Sequence, residues 1–118
     1  MNIDDILLKL SKSKFRSSFH LKKKDLDYIE KKGLKTIESH AYDFIRSRLA
    51  SANPLNDGKQ TPMHGHPVFV SEHATATCCR ECLYKWHHIR KNHELNEEEI
   101  DYVVKVIMTW IKNEMTKP

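Results

Sequence analysis

The chain has 118 residues, of which 39% are hydrophobic and 31% charged, with a formal net charge of +4. That length suits one domain able to bury roughly two thirds of its unfolded surface, so a metal is not needed merely to complete a core. No apolar run approaches the roughly 20 residues that span a bilayer, and the acidic start MNIDDILLKL is unlike a basic secretory leader, so the chain is expected in the cytoplasm. Three cysteines, two of them adjacent, fit a reducing compartment better than a disulfide framework.

Residues 3–10 place Ile3, Ile6, Leu7 and Leu10 on one face, which predicts a short amphipathic helix packed as a lid. Phe15, Phe19 and Leu21 follow, then a helix over about 24–32 that Gly33 is expected to stop, since glycine favours the conformation just past a helix end. Leu34, Ile37, Ala41, Phe44, Ile45 and Leu49 recur at helical spacing, so residues 24–51 read as a helical hairpin.

The first half is the basic one. Residues 1–60 carry 13 Lys+Arg against 8 Asp+Glu, and residues 61–118 carry 7 against 8. Lys9, Lys12, Lys14 and Arg16, then Lys22, Lys23 and Lys24, then Lys31, Lys32 and Lys35, alternate with Phe15, Phe19 and Tyr28. Such interleaving can meet phosphates and stacked bases; the same pattern also describes a solvated helix surface.

Residues 52–67 hold Pro54, Pro62, Pro67, Gly58 and Gly65, which predicts a long loop, a kind of connection that is often functional. Val68, Phe69 and Val70 then read as a short strand or an extended buried run. At the far end, Asn96 with Glu99 three positions on marks a helix start, and Ile100, Val103, Val104, Ile107 and Ile111 carry that helix over about 97–115. The expected fold is mainly α, a compact single-domain helical bundle over 1–118 with one long loop and at most one short strand.

Between loop and last helix lies the chemical concentration. Residues 64–88 hold all three cysteines and five of the eight histidines, donors that zinc and other late transition metals prefer. A helix over about 76–89, at about 100° per residue, puts Cys78, Cys79 and Cys82 on one face with Leu83, Trp86 and Ile89. His87 then falls about 140° from Cys82 and about 180° from Cys78, so it and His88 are expected to form an exposed edge away from the thiols. Adjacent cysteines on a helix diverge, so one ion is not expected to take both Cys78 and Cys79. The expected zinc ligands are Cys79 and Cys82 with His73 and His66 reaching back from the preceding segment, and Cys78 and His64 as substitutes.

Two other readings of the sulfurs stand beside this one. Buried free cysteine behaves as a small hydrophobe, so the stripe can be plain core. Cys79 and Cys82 also have dithiol spacing near a helix start with Arg80 beside them, although the strand-helix-strand context of thioredoxin-like motifs is missing. The deaminase pattern fails because Glu72 precedes His73 and no proline precedes Cys79. Zinc-finger spacing, H-E-x-x-H, the P-loop and G-x-S-x-G are absent. Asp57, His64, His66, Glu72 and His73 are the residues from which a metal-dependent nuclease would have to be assembled.

The run from Gly65 to Phe69 (GHPVF), His73 to Arg80 (HATATCCR), Cys82-Leu83 and Lys85 to His87 (KWH) resembles the signature of an uncharacterised family of small bacterial proteins with a domain of unknown function. The resemblance extends to the upstream GLKTIESHAYDFIRSRLA and implies a bacterial or phage origin, with no activity to transfer. It marks His66, His73, Cys78, Cys79, Arg80, Cys82, Trp86 and His87, with His40 in the upstream helix. That set exceeds what a packing stripe requires and points to a working site where loop meets helix.

Overall fold

The computed structural model describes residues 2–117 and contains seven helices and no strand among them. The last helix is the clearest consequence of the sequence. In α7 (Glu97–Met115) the Asn96 side chain accepts from the Glu99 N–H at 2.8 Å while the Glu99 carboxylate accepts from the Asn96 N–H at 3.0 Å. Two orphan donors are thereby satisfied at once. Ile100, Val103, Val104, Val106, Ile107, Met108 and Ile111 are buried along it.

α3 (Lys23–Lys32) and α4 (Leu34–Arg48) form the expected hairpin, joined by Gly33 at φ +86°. α4 stops at Arg48, three residues short of the expected end, because the Leu49 and Ala50 N–H groups both return to the Ile45 carbonyl. Ile29, Ile37, Ala41, Ile45 and Leu49 make the main core with α7 and Leu83. Each of the leucines and isoleucines contributes about 1.5–3 kcal/mol of burial. α1 (Ile3–Ser11) and α2 (Lys14–Ser17) begin at the side-chain caps of Asn2 and Ser13, and Ile6 and Leu10 close on Ala76, with Cys82 and Trp86 at the edge. The lid reading of the first helix therefore holds, and its cover is the cysteine region.

Two elements differ from their sequence expectation. Residues 68–70 are neither strand nor extended run but part of α5 (Pro67–Ala74). His66 caps α5 by accepting the Val68 N–H on Nδ1 at 3.0 Å, and Pro67 takes the first position, where a missing N–H costs nothing. Every residue of α5 is buried, packed against α2, α3, α4 and α7. A helix enclosed on all sides shows no polar stripe, and so no 3.6-residue period.

The expected helix over 76–89 is also shorter. α6 runs Arg80–His87, because Ala76 at φ +57° turns the chain left-handed after α5. The Thr77 N–H bonds back to the Glu72 carbonyl at 2.8 Å, which closes a Schellman-type end with alanine where glycine is usual. The buried Ala76 methyl lies against Ile6 and Leu10. From His66 through Arg80 the chain is buried without interruption. No described helix is long and apolar enough to cross a membrane.

Candidate metal centre

Because α6 starts at Arg80, the three cysteines occupy three different backbone situations. Cys78 lies in the turn after α5, Cys79 is the extended N-cap of α6, and Cys82 sits in its first turn. This removes the divergence expected of adjacent helical cysteines. Cys79 Sγ accepts the Cys82 N–H at 3.4 Å, Cys78 and Cys82 Sγ are 3.7 Å apart, and all three sulfurs lie within 4.8 Å of one another. Among the described residues, this is the one place where three or more His, Cys, Asp or Glu donors converge closely enough to share an ion. All three cysteines are free of disulfides, with Cys78 and Cys79 buried and Cys82 half-buried.

A cation from far upstream completes the group. Arg16 of α2 donates from Nη1 to the His73 carbonyl at 2.7 Å and to Cys78 Sγ at 3.6 Å, and from Nη2 to Cys82 Sγ at 3.2 Å. Burial alone would lower its pKa, but the sulfurs raise it. Cys82 is the thiolate of the set: bonds from the Cys78 and Cys79 thiols, with Arg16 beside it, pull it down to about 2 against the opposing effect of burial. Cys78 is held as a thiol, raised by the bonds it donates to Cys79 and Cys82 and by burial. For Cys79 the bond with Cys78 acts downward, but the bond to Cys82 and burial outweigh it. One negative and one positive charge thus face each other in a largely buried pocket of sulfur.

The sulfur group contains neither His73 nor His66. His66 is committed elsewhere: its Nδ1 accepts the Val68 N–H, so the neutral ring carries its proton on Nε2 and donates it to His40 Nδ1 at 3.0 Å. Tyr28, Phe44 and Phe69 surround that pair, and burial, with His40 adjacent, lowers His66 to about 4. His73 turns Nε2 toward the carbonyls of Thr61 and Pro62, both at 3.1 Å, and stacks on Phe19. His64 is exposed in the loop. His87 is buried rather than on the exposed edge that the helical wheel gave it, with Nε2 2.7 Å from the Thr75 carbonyl and Nδ1 2.8 Å from the Tyr102 hydroxyl, and it does not join the sulfur group.

The remaining marked residues are structural neighbours of the centre. The Arg80 side chain is buried and donates to the carbonyls of Ser51 at 2.7 Å, Arg90 at 2.9 Å and Leu49 at 3.4 Å, while its backbone N–H reaches Asp57 Oδ1 at 3.1 Å. Arg80 therefore ties the start of the loop and the segment after α6 to α6, and its bonds go to carbonyls rather than to a thiolate. Trp86 packs with Ile6, Leu10 and Ala76. Asp57, His64, His66, Glu72 and His73 form no common group. Lys22, Lys23, Lys24, Lys31, Lys32 and Lys35 are exposed on and around α3. Arg16, grouped by sequence with the other basic residues, is the contact to the sulfurs that sequence reasoning missed; 62 and 66 positions separate it from the two sulfurs, and nothing local marks it.

The family described as "Domain of unknown function (DUF4186)" matches residues 4–112. The chain belongs to this family. The matched stretch includes every residue of the sulfur centre and Arg16. No solved structure matches this family member.

Proposed function

We propose that the protein binds one zinc ion through the thiolates of Cys78, Cys79 and Cys82. The observation that carries this reading is the convergence of the three sulfurs, with Cys78 and Cys82 3.7 Å apart. Thiolates about 2.3 Å from a zinc ion at the corners of a tetrahedron stand about 3.8 Å from each other, so the spacing suits the ion with little movement. Charge supports it as well. Three thiolates and Zn²⁺ sum to one negative charge, and the Arg16 guanidinium, hydrogen-bonded to two of the sulfurs, balances it as an outer-shell partner. Soft thiolate donors select zinc and copper(I) over magnesium or calcium.

Elemental analysis of protein purified without a metal-affinity step is expected to give about one equivalent of zinc, and cobalt(II) loading to produce thiolate charge-transfer absorption. Less than about a tenth of an equivalent of any transition metal, with no cobalt absorption after loading, would sink the proposal.

A second reading rests on the Cys82 thiolate beside the Cys78 thiol. With a low-molecular-weight disulfide as oxidant, Cys82 S⁻ attacks one sulfur and releases a thiolate. Cys78, losing its proton, then attacks Cys82 Sγ, expels the second thiolate and leaves a Cys78–Cys82 disulfide. Under this reading metal-free protein forms that disulfide on exposure to oxidised glutathione, and under the zinc reading the loaded protein resists it.

A further inference from the structure

We propose that His73 supplies the fourth ligand through Nδ1, closing a three-cysteine, one-histidine centre; this rests on the zinc reading above. Carbonyl oxygens only accept hydrogen bonds, so the Nε2 that faces Thr61 O and Pro62 O at 3.1 Å each carries the proton. The lone pair of the neutral ring is therefore on Nδ1, which takes no hydrogen bond from the described residues. A ring that donates from one nitrogen to backbone carbonyls and leaves the other free of hydrogen bonds is the arrangement in which histidine binds metals. Burial and the Phe19 ring, stacked at 5.5 Å and 20°, hold that orientation.

Two bridges tie His73 to the sulfurs. Arg16 Nη1 spans the His73 carbonyl and Cys78 Sγ. Thr61 accepts from His73 on its carbonyl and donates from Oγ1 to the Cys78 carbonyl at 2.8 Å. Only the turn containing Ala76 separates the two residues. The imidazole lies outside the sulfur group, so ligation draws the last turn of α5 and the Cys78 turn together over the ion. A neutral imidazole in fourth place keeps the balance with Arg16, whereas a carboxylate would leave one negative charge buried without a partner. A closed donor set makes the metal structural, since no position is left for water or substrate.

The test uses the full chain loaded with zinc and with cobalt(II). Nitrogen-15 NMR of the zinc form is expected to show His73 protonated on Nε2 and metal-shifted on Nδ1, a measurement that needs no variant. His73→Gln is expected to weaken zinc by more than the about 10–100-fold that loss of an outer-shell partner costs, and to shift the cobalt visible bands while the thiolate charge transfer persists. A wild-type protein that binds the metal with an unshifted His73 Nδ1, and a His73→Gln variant with unchanged affinity and cobalt spectrum, would overturn the inference and leave the three-thiolate reading standing. Failure of wild-type protein to bind either metal would overturn both, and would be seen before any variant is made.

Discussion

Replacing Glu72 by glutamine is expected to change how stability depends on pH. Glu72 is 1% exposed in the middle of α5 and its Oε2 receives no hydrogen bond. Burial pushes its carboxyl up from 4.5 to about 8, against a smaller lowering by Arg48. Below the unfolded value both states are protonated and nothing is lost. Between 4.5 and about 8 the unfolded chain releases a proton that the folded chain keeps, so stability falls by about 1.4 kcal/mol per pH unit. By pH 7 the loss is about 3 kcal/mol, and above the folded value it is complete. His66 works in the opposite sense. Lowered from 6.5 to about 4, it is protonated preferentially in the unfolded state across that window, and stability rises as pH climbs through it. The two slopes oppose each other from about pH 4.5 to 6.5, and the lowered Cys82 and His87 add to the rise. Urea unfolding followed by Trp86 and Trp110 fluorescence, in steps from about pH 5 to 8.5, measures both proteins. Glu72→Gln should gain on wild type by about 1.4 kcal/mol per pH unit up to about pH 8 and by nothing further above it, with every other titration cancelling in the difference. Parallel curves for the two proteins across the range would refute the reasoning.

Arg80→Met keeps the buried stem but removes the bonds to the carbonyls of Leu49, Ser51 and Arg90, and losing three bonds from a buried charged donor is expected to cost about 2–4 kcal/mol in urea unfolding; a loss below about 1 kcal/mol would mean that water replaces the guanidinium. Ala76→Gly relieves a left-handed alanine at φ +57° worth about 1 kcal/mol, but gives up a buried methyl worth about 0.8 kcal/mol. Thermal and urea midpoints should therefore barely move, while Ala76→Val, β-branched in the same conformation, should lower both sharply; a large loss for glycine would show that the methyl contact outweighs the strain.

The elements that announced themselves in sequence are those with one wet face and a local stop. α7 carries its own capping box in Asn96 and Glu99, and the α3–α4 hairpin carries Gly33. α5 has neither signal, because all of its sides are covered and its N-cap is a histidine, a residue read for chemistry. The Ala76 turn is silent for a related reason. Its left-handed residue is not glycine, so a helix over about 76–89 looked continuous, and that continuity made Cys78 and Cys79 appear to diverge. The Cys79–Cys82 pair was nevertheless legible from spacing alone. Arg16 was not, since only the packing of α2 against α5 brings a guanidinium from the N-terminal segment onto sulfurs more than sixty positions away.

Most of the polar residues in the buried stretch are consumed by backbone. A buried peptide group without a partner costs as much as a lost hydrogen bond, and irregular turns buried between helices create many of them. His66 meets the Val68 N–H, Ser71 donates to the Ile107 carbonyl, Thr75 to the Ser71 carbonyl, His87 to the Thr75 carbonyl, and Arg80 to three carbonyls at once. These contacts account for a signature rich in histidine and arginine without any appeal to catalysis. They do not account for three sulfurs that meet one another beside a guanidinium, or for a histidine with one nitrogen secured on carbonyls and the other unspent. Packing alone would be served as well by alanine or valine at Cys78 and Cys79, and would gain nothing from placing Arg16 against them at the cost of burying its charge. The three sulfurs beside Arg16 are what backbone satisfaction leaves unexplained, and on the zinc reading replacing Cys78 and Cys79 together by alanine should abolish zinc uptake.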